Sequence, residues 1–369
     1  MEHPEKRDLD LTQTQLRTWL ASKLPGAQDL HIRGLSAPTE AGASNETFLF
    51  DTEWTTAGTP HCERLVVRFK PRGMTLFPTY DLGLQCRVMQ MLAGTDVPVP
   101  HVRWFEPDVQ VFGVPFFVMD CVAGRVPPDN PPMHIAGWVT ELSPEQREHL
   151  WWNGLEAATH VHRLDWRTLG FDCLAEPQRG ATPLVQQLQY YDEYLAWAVD
   201  PAQFPLLGTV QRWLHANPPA DEPVALCWGD SRLANQVFDE QLTCVALLDW
   251  EMARLGDPVQ DLAWWLASDR CFTEGLGISR LAGFPDRAAT VARWQTLVGR
   301  EARHLPYYEV LALYRYSIQM ARIGRVFKHY GIYPSDDDLF VYKIGAVTLA
   351  RAFEEVTRAE VNRGWSETT

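Results

Sequence analysis

The sequence lacks any pair of cysteines at the spacing of a redox or zinc motif; its seven cysteines (62, 86, 121, 173, 227, 244 and 271) are scattered. An odd, unpatterned set fits reduced thiols in a cytoplasmic protein and speaks against a disulfide framework or a structural zinc site. Long apolar runs are missing too. The longest, VFGVPFFVM at 111–119, contains Gly and Pro and is far too short to cross a bilayer. The first ten residues, MEHPEKRDLD, have no apolar core and no cleavage-site pattern, so a signal peptide is not expected. Positive charge is scarce: 33 Lys and Arg face 47 Asp and Glu, for a net charge of −14. Such a chain repels phosphate backbones, so neither nucleic acid nor a membrane is expected as a partner. There is no internal repeat and no low-complexity tract. What is present is an ordinary globular balance, 46% hydrophobic and 22% charged over 369 residues. That is enough chain for one large or two medium domains with a sizeable core.

The pattern changes along the chain. Residues 10–24 place Leu11, Leu16, Trp19, Leu20 and Leu24 at helical spacing. ETFLFDTEW (46–54) and ERLVVRFKP (63–71) read as strands of an antiparallel hairpin. YDLGLQCRVMQMLAG (80–94) reads as a helix, and VPVPHVRWFE and FGVPFFVMDCV as two further strands. The proline-rich stretch GRVPPDNPP (124–132) interrupts regular structure. Beyond it the pattern is helical over 144–163, 183–199, 258–268, 287–303 and 306–329, with two short strands at 225–229 and 244–250. The expected fold class is α+β with segregated elements: a small β-rich lobe over 1–122 and a larger, mainly helical lobe over 123–369.

Chemistry concentrates in the second part. LCWGDSRLANQVF (226–238) puts Asp230 and Asn235 on one loop, and CVALLDW (244–250) ends a strand at Asp249. Asp and Asn oxygens are hard ligands that suit Mg²⁺, which takes few protein ligands and completes its shell with water and phosphate oxygens. A remaining carboxylate can accept the proton of an attacking hydroxyl. This is the equipment of phosphoryl transfer. Taken singly, an Asp at a strand end is more often a turn or a helix cap; the combined spacing is what carries the reading.

WGDSRLAN (228–235) followed by LLDWEMARLGDPVQDLAWW (247–265) resembles the aminoglycoside phosphotransferase family of the protein-kinase-like fold, in a branch similar to the kinase-like domains of some acyl-CoA dehydrogenases. The resemblance covers about residues 30–330. It implies an enzyme that moves the γ-phosphate of ATP, with Mg²⁺, to a hydroxyl of a small molecule. Asp230 then aligns and deprotonates the acceptor, Asn235 and Asp249 hold Mg²⁺, and Asp261 braces the loop. Arg232 stands where a phosphate contact or a loop salt bridge is expected. Gly42, Ala43, Ser44 and Asn45 fall in the loop that covers the phosphates. Arg68 is the expected phosphate-gripping cation, with Lys70 the alternative on the same strand face. Met119, Asp120 and Val122 fall in the hinge that reads adenine. His162 is expected to pack beneath the loop. Trp264, Trp265 and the tyrosines of 307–316 are candidate linings for the acceptor pocket, and Arg315 and Arg322 candidate contacts to an anionic acceptor or a solvated face. Two positions depart from the family pattern. Gln85 sits where a helical glutamate is usual, with Asp81 a turn earlier as a substitute partner for the cation, and Trp228 replaces a histidine common in relatives. They motivate the alternative of a nucleotide-binding regulatory protein with little catalysis.

Overall fold

In the computed structural model, residues 7–38, 46–331 and 340–366 are described. Helix α1 (Leu9–Lys23) is followed by strands β1 (Ala27–Ser36), β2 (Glu46–Thr56) and β3 (Thr59–Phe69), helix α2 (Leu82–Leu92), and strands β4 (Val102–Glu106) and β5 (Phe116–Asp120). The five strands form one antiparallel sheet in the order β1-β2-β3-β5-β4. Alternation along β3 separates its two faces. Val67 and Phe69 turn to one side, where they join Leu16, Trp19 and Leu20 of α1. Val66 turns to the other, where it joins Val88 and Met89 of α2 and a hydrophobic core that continues without a break into the helical part of the chain. Arg68 shares that second face. The side of the sheet turned to the rest of the molecule therefore carries a cation beside the buried Val66.

The larger lobe contains α3 (Trp138–Glu141), α4 (Pro144–His162), α5 (Pro183–Ala198), α6 (Pro205–Ala216), α7 (Val259–Cys271), α8 (Arg287–Val298), α9 (Leu305–His329) and α10 (Phe340–Ser366). Helix α4 starts on a full capping box, with the Ser143 side chain on the Gln146 amide and the Gln146 side chain on the Ser143 amide, and Pro144 at its first position. Four short strands lie among the helices: β6 (Ala225–Cys227) pairs with β9 (Arg254–Gly256), and β7 (Gln236–Phe238) with β8 (Cys244–Leu247). Helix α9 packs against α5, α6, α7 and α10 and is the spine of this lobe. The fold is α+β and bilobal, as the sequence pattern implies.

Several boundaries differ. The helix expected over 287–303 stops at Val298 because Gly299 takes a left-handed φ of 73° as its C-cap. The strand expected over 225–229 ends at Cys227, since Gly229 turns the chain with a φ of 92°. Among the described residues, no helix is long and apolar enough to cross a membrane.

Candidate active site

Two short strand pairs deliver the polar residues to one place. After β6 the chain turns at Gly229. A Cβ there would stand 2.0 Å from the Met252 carbonyl oxygen, so only glycine fits. The loop then presents Asp230 and Arg232, and a single 3-10 turn over Leu233–Asn235 brings Asn235 back under Asp230. After β8, Asp249 adopts a left-handed φ of 57°, a backbone conformation rare for a residue with a side chain. The following turn, Trp250–Met252, carries Glu251.

Asp230 is held from three directions. Its Oδ1 accepts from the indole N–H of Trp264 at 2.6 Å and from Arg232 Nε at 3.0 Å. Its Oδ2 accepts from Asn235 Nδ2 at 2.7 Å. Asn235 Nδ2 also donates to the Asp230 carbonyl at 3.1 Å. Both partners of the Asn235 amide are pure acceptors, so its nitrogen must face Asp230 and its oxygen must point elsewhere. That outward oxygen is the atom a hard cation would want. Burial pushes the Asp230 carboxyl above its ordinary value, and nearby Asp249 adds to the shift; Arg232, Trp264 and Asn235 oppose it.

Across the cleft, Arg68 Nη2 donates to Asp249 Oδ1 at 2.5 Å and lies 3.9 Å from Glu251 Oε2. Burial disfavours the Arg68 charge, but Asp249 and Glu251 more than restore it, and the guanidinium sits above its usual range. Arg68, and not Lys70 beyond the end of β3, therefore meets the Asp249 carboxylate. Gln85 and Asp81 are not the partners of this cation. Gln85 is buried with an unpartnered Oε1, and Asp81 caps α2 by accepting from the Leu84 amide at 2.8 Å. Asp249 and Glu251 supply the charge that Gln85 cannot.

The remaining expected residues are distributed as follows. Met119 lies in β5 opposite Val66 and is buried, next to the strand that carries Arg68. The Asp120 side chain accepts from Arg103, and Val122 follows in the half-buried link between the lobes. Gly42, Ala43, Ser44 and Asn45 lie outside the described residues. Arg232 forms the loop salt bridge, through Nη1 to the Asp129 carboxylate at 2.5 and 2.6 Å. Trp228 is fully buried and stays out of the cleft: its indole N–H donates to the Leu248 carbonyl at 2.8 Å, and its backbone N–H to Asp261 at 2.7 Å. Asp261 also takes the Gly229 amide at 2.9 Å and the His162 Nε2 at 2.9 Å.

Two expectations are corrected. Arg315 faces neither solvent nor an acceptor. It is 1% exposed, donates to the Gly229 carbonyl at 3.0 Å and to the Tyr191 hydroxyl at 3.1 Å, and covers the ring of Trp264. Arg322 likewise is tied down, to the Thr75 carbonyl and the face of Trp197. Of the aromatics, Trp265, Tyr307, Tyr308, Tyr314 and Tyr316 are buried members of the core, since helices α7 and α9 lie inside the lobe. Trp264 is buried as well, but its indole N–H serves Asp230. Residues that sequence reasoning missed are Asp129, Glu251 and Arg315 in its bracing role. Glu251 had a signal, as the third letter of the D-W-E run; Asp129, inside a proline-rich break, had none.

A five-stranded antiparallel sheet over a helical lobe, with the D-x-x-x-x-N loop and Asp249 side by side on the helical lobe and Arg68 reaching them from the sheet, has the architecture of the protein-kinase-like fold. A model of the phosphotransferase enzyme family matches residues 37–299, and the chain belongs to that family. Among solved structures, a candidate aminoglycoside phosphotransferase from Ralstonia eutropha JMP134 is 22% identical with a TM-score of 0.66, covering 94% of this chain and 98% of that one. An ethanolamine kinase from Plasmodium vivax has the same fold at 10% identity, with a TM-score of 0.56 over 94% of this chain and 89% of that one. Acyl-CoA dehydrogenase family member 11 from Gallus gallus is 28% identical over 262 residues, 70% of this chain; the match spans 31% of that protein's length.

Proposed function

We propose that the chain is an ATP- and Mg²⁺-dependent kinase that transfers the γ-phosphoryl group to a hydroxyl of a small molecule in the cytoplasm. The observation that carries this is the convergence of Asp230, Asn235, Asp249 and Arg68 on one cleft. The acceptor hydroxyl gives its proton to the Asp230 carboxylate. Its oxygen bonds to the γ-phosphorus while the bond from that phosphorus to the β–γ bridging oxygen breaks, and ADP leaves with the electron pair. Hydrogen bonds from Trp264, Arg232 and Asn235 hold the carboxylate in one orientation, so little reorganisation is needed at the moment of transfer. The donor set fits Mg²⁺, which would be held by the outward oxygen of Asn235 and by Asp249. When bound it supplies charge neutralisation on the phosphates. Arg68 offers a guanidinium fork to the phosphates. Arg232, anchored by Asp129, lies beside Asp230 and is proposed to face the transferred group. Gly42, Ala43, Ser44 and Asn45 are proposed to cover the phosphates, and Met119 with the backbone of Asp120 and Val122 to hold the base. An ethanolamine kinase on the same fold agrees with a small alcohol as acceptor. The unpaired state of all seven cysteines supports the reducing compartment.

The alternative, a nucleotide-binding regulator with little catalysis, loses much of its motive. Trp228 is a buried packing residue whose indole N–H donates to the Leu248 carbonyl, and Arg68 has carboxylate partners without Gln85. Asp230→Asn separates the two readings. The expected result is a folded protein that binds ATP as before but transfers phosphate on the order of 10³-fold more slowly, followed by ADP release with a panel of small alcohols. Wild-type rates in that variant, or no turnover by the parent protein on the whole panel, would sink the proposal.

A further inference from the structure

Arg315, in the middle of α9, is a cation in the interior of the helical lobe. Its hydrogen bonds go to two neutral acceptors, the Tyr191 hydroxyl and the Gly229 carbonyl, and among the described residues no carboxylate pairs with it. Buried charges are as a rule paired, because an ion taken out of water loses its hydration. Two neutral acceptors could be served by a neutral side chain, so the charge itself needs another account.

The ring of Trp264 supplies it. Helix α9 packs along α7, and Arg315 Cζ stands 4.5 Å from the centre of that ring, within the range of a cation–π contact. A cation over an indole draws electron density from the ring, and the ring N–H becomes a stronger donor. That N–H donates to Asp230 Oδ1 at 2.6 Å. A firmer bond there narrows the orientations open to the carboxylate. Arg315 also holds the residue just before Asp230: the Gly229 N–H is taken by Asp261 at 2.9 Å and its carbonyl by Arg315 at 3.0 Å. We propose that Arg315 is a positioning residue for phosphoryl transfer, whose charge polarises the Trp264 indole and tightens the bond that fixes Asp230. It is shut off from the cleft and touches neither nucleotide nor acceptor. The role in transfer rests on the kinase reading of Asp230; the line of contact from Arg315 through Trp264 to Asp230 does not.

The test compares Arg315→Lys, which keeps the charge, with Arg315→Gln, which keeps a donor for the Gly229 carbonyl and loses the charge. Ultraviolet resonance Raman of the nucleotide-free protein reads the strength of the indole N–H bond. Each spectrum is taken against the same protein carrying Trp264→Phe, which isolates the one ring. The indole band is expected to hold its position in Arg315→Lys and to move toward a weaker hydrogen bond in Arg315→Gln. With ATP and an accepted alcohol, Arg315→Gln is expected to lower kcat roughly threefold to tenfold at an unchanged KM for ATP, and Arg315→Lys to keep most of the parent rate. In the Trp264→Phe background the gap between the two should close, because the charge then has no N–H to act on. Equal losses in Arg315→Lys and Arg315→Gln overturn the proposal, as does a gap that persists without the indole or an unmoved band in Arg315→Gln. Should Arg315→Gln not fold, Arg315→Met takes its place as the uncharged variant. A parent protein that turns over no alcohol defeats the kinase reading, and the Raman comparison still decides whether the charge reaches the bond to Asp230.

Discussion

At the scale of single residues, Trp228 changes meaning most. From the sequence it is an anomaly beside the proposed catalytic loop; in the structure it ties that loop to the strand end before Asp249, through the Leu248 carbonyl, and packs its ring 5.9 Å from that of Trp250. Trp228→Phe removes the donor, strands the carbonyl and leaves a gap. The expected cost is about 2–4 kcal/mol in urea-induced unfolding, with Asp230 and Asn235 chemically unchanged. A variant as stable as the parent would show that the indole N–H carries no weight. The residues legible in the sequence were those whose relation is local. Asp230 and Asn235 lie on one loop, and the 3-10 turn between them follows from the chain itself. Asp129, Trp264 and Arg315 contact the same loop from 103, 34 and 86 positions away along the chain. Contacts of that range are set by the packing of whole helices and leave no local pattern.

At the scale of elements, the loop that carries Asp230 and Asn235 is suspended from buried helices. Asp261 at the start of α7 receives two successive backbone amides of the loop, and His162 at the end of α4 as well. Trp294 of α8 donates to the other ring nitrogen of His162 at 3.3 Å. Asp261→Asn keeps the shape but replaces one accepting oxygen with a donor that faces a donor. It should lower the unfolding free energy by about 1–3 kcal/mol and slow turnover, measured by denaturant titration alongside a transfer assay; neither change would mean that the loop holds itself. Helices with strong periodicity or good caps, such as α1, α4 and α9, were visible in advance. The three-residue strands β7 and β9 were not, because they are too short to show alternation, and α6 and α10 went unread as well.

At the scale of the whole molecule, we place the boundary between lobes at residues 122 and 123, in the link after β5. The core crosses that boundary: Val66, Val88 and Phe117 belong to the same hydrophobic cluster as Trp151 and Leu262. A fragment of residues 1–122 would expose this face to water. It is expected to stay unfolded by circular dichroism and amide exchange, whereas the full chain unfolds in one transition. A folded fragment would mean that α1 and the other face of the sheet suffice. The hydrogen bond from Trp264 to Asp230 has a spectroscopic consequence. An indole whose N–H points at an ionisable carboxylate feels every change of charge on it, so a fluorine label on that one ring would report protonation, metal capture and acceptor docking as separate resonances, in a protein whose substrate need not yet be in hand.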